Sequence, residues 1–377
     1  MSDQIDKRIY KQLGSADLID ALADKLSGSD LHSLLLSVVK RRIANMSQSQ
    51  LTQPNLAGKA CDLDGRLLNR MELLAYQSAA NFQAIELSPV TPLGAVNALA
   101  GLDQGNVLST IRGLECASDP TVGMALECAR HRKPSSKKNT EREATTKLCT
   151  SQRVIRYPLP TNPAYSAHFK LFAMVSAGRD TGSFAFEAAN LKEHIDCYLT
   201  FLRSLKAEGF DLRETIVEIS DTRVVTALCE KLGVSREEIR SEVRARDGAN
   251  SAAKLLAKYP TTWPQHVANP AIELEEFGLP THLLRHLELL CDFVIAPLQS
   301  QYADVSFRFN LHRLTGLSYY TGGPCFHIKV SDAQGQSYML GDGGFVPWTQ
   351  ALLGDNKERL MTSAIGLELL ARVFGSN

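Results

Sequence analysis

The chain has 377 residues, a length that accommodates one large α/β domain with attachments or two ordinary domains. Its composition, 44% hydrophobic and 22% charged, is average for a globular protein and excludes a collagen-like, low-complexity or wholly disordered chain. Forty-one basic residues balance forty-one acidic ones, so no global field attracts nucleic acid or anionic lipid.

Features that are absent from the sequence limit the cellular compartment and the metal sites that we predict. No uncharged stretch approaches the roughly 18 apolar residues of a membrane span, and the N-terminus lacks the apolar core of a signal peptide. The eight cysteines include no CxxC pair and no regular spacing, which argues against a zinc knuckle or a disulfide scaffold. We therefore predict a cytoplasmic protein with reduced cysteines, no membrane attachment and no metal site.

The first 58 residues predict a helical extension. Ser15 is placed to cap a helix that runs through Lys25, and Ser29-Asp30 begins another helix that ends in a basic run. The polar, proline-containing stretch 48–58 is typical of a linker. We predict a domain boundary at residue 58, with a second domain over 59–377.

The region that follows predicts mixed helices and strands. A helix is expected over 64–80, followed by strands over 82–87 and 107–114. Ser118-Asp119-Pro120 begins a further helix, because proline suits the first turn of a helix. Residues 131–150 are polar and rich in charge, which predicts a mobile loop. The basic part of that loop, within 130–147, either contacts RNA or phosphate or simply faces solvent, since no aromatic residues are interleaved.

The second half predicts strands in consecutive runs with helices grouped between them. The polar turn 178–182, with glycine at both ends, predicts a hairpin. Such grouping predicts an α+β fold with an antiparallel sheet flanked by helices, and not a doubly wound fold. Strands are expected over 168–175, 183–187, 215–219, 305–310, 325–331 and 337–340. Helices are expected over 191–207, 221–232, 283–298 and 362–374, with a charged helical stretch in between.

Familiar catalytic motifs are absent, and two segments stand out as candidate ligand sites. There is no GxSxG, HExxH or P-loop, and Gly341–Gly344 lacks the GxGxxG spacing, so a tight sheet turn is favoured there. Tyr319, Tyr320 and Thr321 place hydroxyl groups beside a glycine turn, where they either bind a small polar ligand or complete an aromatic core. Arg179, at the tip of the predicted hairpin, either binds a carboxylate or phosphate or forms a surface ion pair.

These segments, in their order along the chain, resemble the catalytic core of class II aminoacyl-tRNA synthetases, specifically the histidyl-tRNA synthetase branch. The helix and strand that end at Pro89 resemble motif 1, the dimerisation element, and the hairpin around Arg179 resembles motif 2. The segment Thr-Gly-Leu-Ser-Tyr-Tyr-Thr-Gly at 315–322 is similar to the histidine-binding signature Arg-Gly-Leu-Asp-Tyr-Tyr-Thr-Gly. Residues 364–370 resemble motif 3, and the stretch at about 220–280 lies where the family carries an insertion.

The sequence departs from this family at the arginines that adenylate formation requires. In the family those arginines offset the repulsion between a carboxylate and ATP and stabilise charge on phosphorus. The motif 2 arginine aligns with Ala173 and the motif 3 arginine with Leu369, while the arginine and aspartate of the histidine signature align with Thr315 and Ser318. Because each lost contact of this kind raises the barrier by several kcal/mol, ordinary aminoacylation is not expected.

The resemblance also implies a ligand pocket. Between motifs 1 and 2 the synthetase has Arg-Pro-Glu-Gly-Thr, which contacts the amino group of its substrate. Here the corresponding region contains Arg112, Glu115, Asp119 and Thr121, and either Glu115 or Asp119 is placed to take that role. The same segment could also form only capped helices and turns. In the implied pocket, Arg179 or Arg313 would face an anion.

The chain ends directly after the motif 3-like helix, so we expect no anticodon-binding domain and no tRNA selection by the usual route. A core of this kind resembles the regulatory subunit of ATP phosphoribosyltransferase, from histidine biosynthesis. The resemblance implies a catalytically diverged homodimer that binds an amino acid or nucleotide and regulates a catalytic partner subunit. The alternative is a divergent amino-acid-activating ligase, the only hypothesis here that requires ATP and magnesium. The predicted ligand-binding residues are Arg112, Glu115, Asp119, Thr121, Arg179, Arg313, Tyr319, Tyr320, Thr321 and Gly343.

Overall fold

Most of the chain is described by a computed structural model. The described residues are 2–15, 17–44, 46–51, 56–133, 144–157, 166–235, 237–239, 266–267, 278–313 and 319–375. Most of the predicted insertion, the signature positions Thr315 and Ser318, and residues 134–143 of the predicted basic loop lie outside them. Among the described residues, every helix is too short or too polar to traverse a bilayer.

The N-terminal region is helical in its described part. Its second helix begins at Leu18 and not directly after Ser15, whose hydroxyl donates to the Asp17 carboxylate. The long helix of this region is capped by Ser27, two residues earlier than predicted, because the Ser27 hydroxyl accepts from the backbone N–H of Asp30. These helices are α1 (Ser2–Leu13), α2 (Leu18–Asp20, continued by a π-helical turn Ala21–Lys25), α3 (Gly28–Ile43) and α4 (Gln48–Leu51).

The rest of the chain forms one large sheet flanked by helices, as predicted. Nine strands lie in the order β1-β4-β5-β11-β10-β9-β6-β8-β7, and all neighbours are antiparallel except β1 with β4 and β6 with β8. Strands β2 and β3 pair separately. The strands are β1 (Gln83–Ala84), β2 (Val90–Pro92), β3 (Leu114–Cys116), β4 (Thr146–Ile155), β5 (His168–Arg179), β6 (Thr215–Asp221), β7 (His266–Val267), β8 (Val305–Asn310), β9 (Pro324–Ser331), β10 (Ser337–Val346) and β11 (Glu358–Gly366).

Two hydrophobic core clusters form on the large sheet. The larger contains residues of α5, α8, α9 and α10, and the smaller contains residues of α6, α7 and α12. Asp64, Asp119 and Asp221 each accept a backbone N–H at a helix start, and two of these starts were predicted from the same aspartates. The helices are α5 (Gly65–Ser78), α6 (Ala95–Ala100), α7 (Pro120–Arg132), α8 (Ala185–Ala207), α9 (Thr222–Lys231), α10 (Thr281–Leu290), α11 (Ala296–Gln301), α12 (Trp348–Leu353) and α13 (Leu367–Phe374).

The predicted hairpin around Arg179 is wrong. Strand β5 continues unbroken to Arg179, and its sequence-adjacent partner is the preceding strand β4, from Thr146 opposite Ala177 to Ile155 opposite His168. The expected strand 183–187 is instead the start of α8. A glycine-flanked polar segment can also end a strand and start a helix, and here the apolar pattern of α8 decided between the two. Part of the predicted 131–150 loop therefore belongs to β4.

Four other boundaries also differ from the predictions. Residues 107–114 form a strand only at the last position, where β3 begins its short pairing with β2, and 82–87 only at 83–84, where β1 pairs with two residues of β4. Gly341–Gly344 is not a turn but lies inside β10. A Cβ at Gly343 would lie 2.5 Å from Phe326, so glycine there allows close packing of β9. The final helix begins at Leu367, since residues up to Gly366 are held in β11.

Candidate functional site

A cavity of about 760 Å³ opens on one face of the large sheet. Its base is formed by β5, β10 and β11 where these strands lie side by side. The first turn of α7, the residues that follow β8 and the start of α13 form its walls. A cavity of this size fits a small-molecule ligand.

Asp119 is held in this cavity by the start of α7. Its Oδ1 accepts the backbone N–H of Thr121 at 2.9 Å and the Thr121 hydroxyl at 2.7 Å. Its Oδ2 accepts the Tyr319 hydroxyl at 3.1 Å, and Arg156 Nη2 lies 3.7 Å away. The helix cap therefore fixes the orientation of a carboxylate that also belongs to the cavity wall.

Tyr319 and Tyr320 form an aromatic corner beside that carboxylate. Their rings are 4.9 Å apart and nearly perpendicular, and Tyr319 also packs edge-on against Trp348. Burial raises the pKa of both phenols well above the ordinary value, so both stay protonated. The rings are packed, as the aromatic-core hypothesis predicts, and the Tyr319 hydroxyl contacts Asp119 in the cavity; ligand binding by this pair stays a prediction.

Arg313 is a buried cation in the same cavity. It is only 5% exposed, donates to Asp342 Oδ1 at 2.6 Å and stacks its guanidinium 5.2 Å from the centre of the Tyr320 ring. Burial opposes its charge, but the Asp342 carboxylate outweighs burial and raises the pKa of Arg313. Its Nε and Nη1 find no hydrogen-bond partner among the described residues. Two buried donor nitrogens are therefore available to a ligand.

His327 lies beside this pair and is neutral. Its Nε2 is 3.7 Å from Asp342 Oδ1, on the neighbouring strand. Burial and then the positive charge of Arg313 lower the pKa of His327 to about 4. At neutral pH the uncharged imidazole does not form an ion pair with Asp342, so Arg313 is the cation that pairs with this carboxylate.

Three further cations line the cavity that the sequence analysis did not select. Arg156 follows β4 and donates to the backbone carbonyl of Ser118 at 2.8 Å. Arg372 donates to Ser166 Oγ at 3.1 Å and pairs with Asp62, while Lys170 pairs with Glu72. Arg156 directly follows the end of β4, so a correct prediction of this strand would have indicated the residue. The predicted hairpin instead paired β5 with residues after Arg179, and no strand was therefore predicted directly before Arg156.

The structure separates the predicted site residues into two groups. Asp119, Thr121, Arg313, Tyr319 and Tyr320 all line the cavity. The other five do not belong to its lining; they are Arg112, Glu115, Arg179, Thr321 and Gly343.

Each residue of the second group has a different environment. Glu115 is fully buried and accepts the backbone N–H groups of Gly94 and Val96, where it closes the start of α6. Arg179 ends β5 and pairs with Asp355 at 2.9 Å. Arg112 and Thr321 are exposed turn residues, and Gly343 packs in β10.

The positions that the resemblance aligned with lost arginines also differ from one another. Ala173 is buried on β5 in the smaller core cluster, and the hairpin from which that alignment started does not form. Leu369, on α13, lines the cavity and adds an apolar side chain to its wall. Among the described residues, no group of three His, Cys, Asp or Glu side chains could hold a metal ion, and all eight cysteines are free thiols.

Comparisons of the sequence with protein-family models and with curated proteins give no match. The fold, in contrast, is similar to several solved structures. An ATP phosphoribosyltransferase regulatory subunit/histidyl-tRNA synthetase from Bacillus halodurans superposes with a TM-score of 0.64 at 14% identity, over 88% of this chain and 85% of that one. A histidine–tRNA ligase subunit from Alicyclobacillus acidocaldarius gives 0.61 at 14% identity, over 85% and 96%.

A third similar structure contains two kinds of subunit. The ATP phosphoribosyl transferase (HisG:HisZ) complex from Thermotoga maritima gives a TM-score of 0.51 at 17% identity, over 81% of this chain and 98% of that one. At such low identity the likeness concerns the fold. The chain therefore has the class II synthetase-like α+β fold shared by histidyl-tRNA synthetase and the ATP phosphoribosyltransferase regulatory subunit, and the resemblance drawn from the sequence is confirmed at that level.

Proposed function

We propose that this chain binds a small polar ligand, an amino acid or a nucleotide, in the cavity without activating it. It would act as a regulatory or accessory subunit, such as that of ATP phosphoribosyltransferase in histidine biosynthesis. The similar structures that include such a subunit support this hypothesis, and so does the cavity. The catalytic subunit that it regulates would be a separate chain.

The observation that carries the proposal is the unsatisfied guanidinium of Arg313. A buried N–H without an acceptor costs about 1–3 kcal/mol, and a charged donor costs more. A carboxylate or phosphate in the cavity would accept from Nε and Nη1 and remove that cost. Of the two arginines that the sequence offered for an anion, the geometry favours Arg313 over Arg179.

A second polar group of the ligand would face Asp119. The carboxylate already accepts from Thr121 and Tyr319, and the one cation paired with it among the described residues is Arg156, whose side chain is half exposed. An ammonium group would therefore be attracted to it. Opposite charges at Asp119 and Arg313 suit an amino acid, with its ammonium and carboxylate groups.

The apolar wall at Leu369 supports binding without activation. The resemblance aligns this residue with an arginine that stabilises charge on phosphorus, and a leucine in the cavity wall supplies no such charge. We also propose the domain division at residue 58, a homodimer through the region of Pro89, and a cytoplasmic location. The exposed Pro89 accepts the Ala117 N–H through its carbonyl, which leaves its ring available to a partner.

One observation favours the ligase alternative. Arg156, Arg372 and Lys170 line the cavity together with Arg313, so the cavity contains several cations. None of them occupies the positions of Ala173 or Leu369, which align with the motif 2 and motif 3 arginines of the family. These groups could bind the phosphates of ATP with magnesium. In that case the chain would form an adenylate from an amino acid.

Two measurements on the full chain test the proposal. Calorimetric titration with a panel of amino acids and nucleotides should reveal one that binds, while ATP–pyrophosphate exchange with the same amino acids should stay at background. Arg313→Gln should weaken binding about 10- to 100-fold, because it removes a charge-assisted contact. Arg179→Gln is the matched control, since Arg179 pairs with Asp355 away from the cavity lining, and should bind like the wild type.

Other outcomes contradict the proposal in different ways. Robust exchange with any amino acid would establish the ligase instead. Equal weakening by both substitutions would show that Arg313 has no special role. If Arg313→Gln does not fold, Tyr319→Phe serves as a second variant, because it removes only the hydroxyl that contacts Asp119.

A further inference from the structure

The N-terminal helices expose an unusual share of the apolar surface. Among the described residues, seventeen large apolar side chains are exposed, and nine of them lie between Ile5 and Met46. They include Leu13 at 62%, Val38 at 47% and Ile43 at 53% exposure. A concentration of exposed apolar side chains in one segment points to an interaction site, since single exposed residues scattered over the surface would need no explanation.

Helix α3 carries four of these nine side chains, Leu34, Val38, Val39 and Ile43. Leu31, Leu34, Leu35, Val38 and Val39 recur with the spacing of one helix face, on which Leu31 and Leu35 are half-buried. An isolated helix of 16 residues is marginally stable in water and depends on packing of its apolar face. Yet no described residue of α1 to α4 belongs to either core cluster.

The ends of this helical region carry equal and opposite charge. Residues 17–30 contain four aspartates and one lysine, a net charge of −3. Within residues 31–43 the only charged side chains are Lys40, Arg41 and Arg42, a net charge of +3. Helix α3 has a length of about 24 Å, which exceeds the screening length of about 8 Å at physiological salt, so Asp30 in its first turn and the basic run in its last turn act as separate charges.

We propose that the apolar face of α3 packs antiparallel against α3 of a second copy of this chain. In that arrangement the basic end of each helix lies beside the acidic region of the other, and the two apolar stripes face each other. The pairing is isologous, because the same surface serves both copies. The charges thus fix the antiparallel direction, while apolar burial supplies the affinity.

The same charges argue against a lipid surface as the occupant. Helices that lie on membranes carry an excess of lysine and arginine on the polar face. Residues 1–46 contain seven basic and six acidic side chains, and the polar positions of α3 include Ser29, Ser33 and Ser37. This region has a net charge close to zero, with an acidic segment over 17–30 and a basic segment over 31–43. A second copy of the chain carries the same two segments and therefore offers a complementary charge to each.

Sedimentation equilibrium of the full chain tests the proposal. Val38→Asp buries a charge in the proposed interface and should raise the dissociation constant of self-association at least about 10-fold. Leu352→Asp is the matched control, because Leu352 is 39% exposed and lies on α12, and it should leave self-association unchanged. The α3 contact and the homodimer proposed at Pro89 are separate interfaces, so an association step that Val38→Asp leaves intact belongs to the latter. A wild-type chain that is monomeric at micromolar concentration, or one in which every step of self-association is unaffected by Val38→Asp, would overturn the proposal.

A charge exchange tests the direction of packing. One variant replaces Lys40, Arg41 and Arg42 by Glu, and another replaces Asp20, Asp24 and Asp30 by Lys. Each alone should self-associate more weakly than the wild type, whereas an equimolar mixture should form a heterodimer, because both charged contacts are restored in it. A mixture that stays as weak as its components, or wild-type binding to anionic vesicles in place of self-association, would contradict a second copy as the occupant.

Discussion

Arg132 and Arg313 are both buried beside the large sheet, yet their N–H groups are used differently. Arg132, at the end of α7, donates to both carboxylate oxygens of Glu358 and to the backbone carbonyls of Ala144 and Ala177. Arg313 donates to one oxygen of Asp342 and leaves two nitrogens without a partner among the described residues. The first guanidinium is saturated by the fold itself, and the second is not.

We propose that this difference separates a structural charge from a ligand-binding charge. A saturated buried pair contributes to one unique packing, and removal of either partner leaves the other charge buried. An unsaturated buried donor lowers stability, and in the proposed function a ligand in the cavity supplies the acceptor that Arg313 lacks. The comparison therefore predicts that substitutions at the two arginines affect different properties.

The largest effect is expected at Arg132. Arg132→Met removes the guanidinium that pairs with the fully buried Glu358 carboxylate, and we expect a loss of about 3–5 kcal/mol in the free energy of unfolding. Arg130→Met is the control on the same helix, since that side chain is 65% exposed and should change stability by less than about 0.5 kcal/mol. Urea denaturation followed by circular dichroism measures both. Equal stability of the two variants would break the comparison.

The next largest effect is a pH dependence of stability caused by Glu218, a buried carboxylate whose oxygens both accept hydrogen bonds. Burial acts to raise the pKa of Glu218, but hydrogen bonds from Lys329, Asn310 and Arg308 lower it to about 2, from 4.5. The stabilisation by this carboxylate is present above pH 4.5 and is lost as the pH falls toward 2, by on the order of 3 kcal/mol. Denaturation at several pH values should show this slope in the wild type and a flatter one in Glu218→Gln. An unchanged slope would show that Glu218 is not a stabilising charge.

The smallest expected effect is a change in the pKa of His327, which lies beside the incompletely hydrogen-bonded Arg313. Arg313 contributes to the lowered pKa of His327, after burial. Arg313→Gln should therefore raise the pKa of His327 from about 4 toward its ordinary value, by up to about one unit. The stability linked to neutral His327, present above pH 6.5 and lost as the pH falls toward 4, would then decline over a narrower range. Titration of the His327 ring proton by NMR measures the change, and Arg179→Gln should leave it unaltered.

Local patterns sufficed for many elements of the fold. Asp64, Asp119 and Asp221 fill helix caps whose side chains bond within two residues, so chain neighbours alone fix them. The strand at Val305–Asn310 and residues 191–207 of the helix Ala185–Ala207 likewise follow from local apolar patterns. Failures occurred where long-range pairing decides the conformation, as at 146–155, which becomes a strand only because β5 pairs with it along ten residues.

The candidate site was predicted in part for the same reason. Tyr319 and Tyr320 were selected from their residue types and Arg313 from the family resemblance. Arg156 was missed because its place depends on the strand before it. Glu115 and Asp119 could not be distinguished by sequence, since both are acidic residues of one short region. The structure distinguishes them by direction: Glu115 faces the start of α6, and Asp119 lines the cavity.

The sequence by itself determined the α+β class and the family resemblance, because both depend on the order of apolar patterns and on short motifs that survive without knowledge of contacts. It also determined the segregated charges of the N-terminal helices. Only the tertiary structure decided which cations share the cavity and which of them the fold leaves unsatisfied. Hydrogen-bond saturation depends on groups that are distant in sequence, such as Arg313 and Asp342, and no local pattern encodes their meeting.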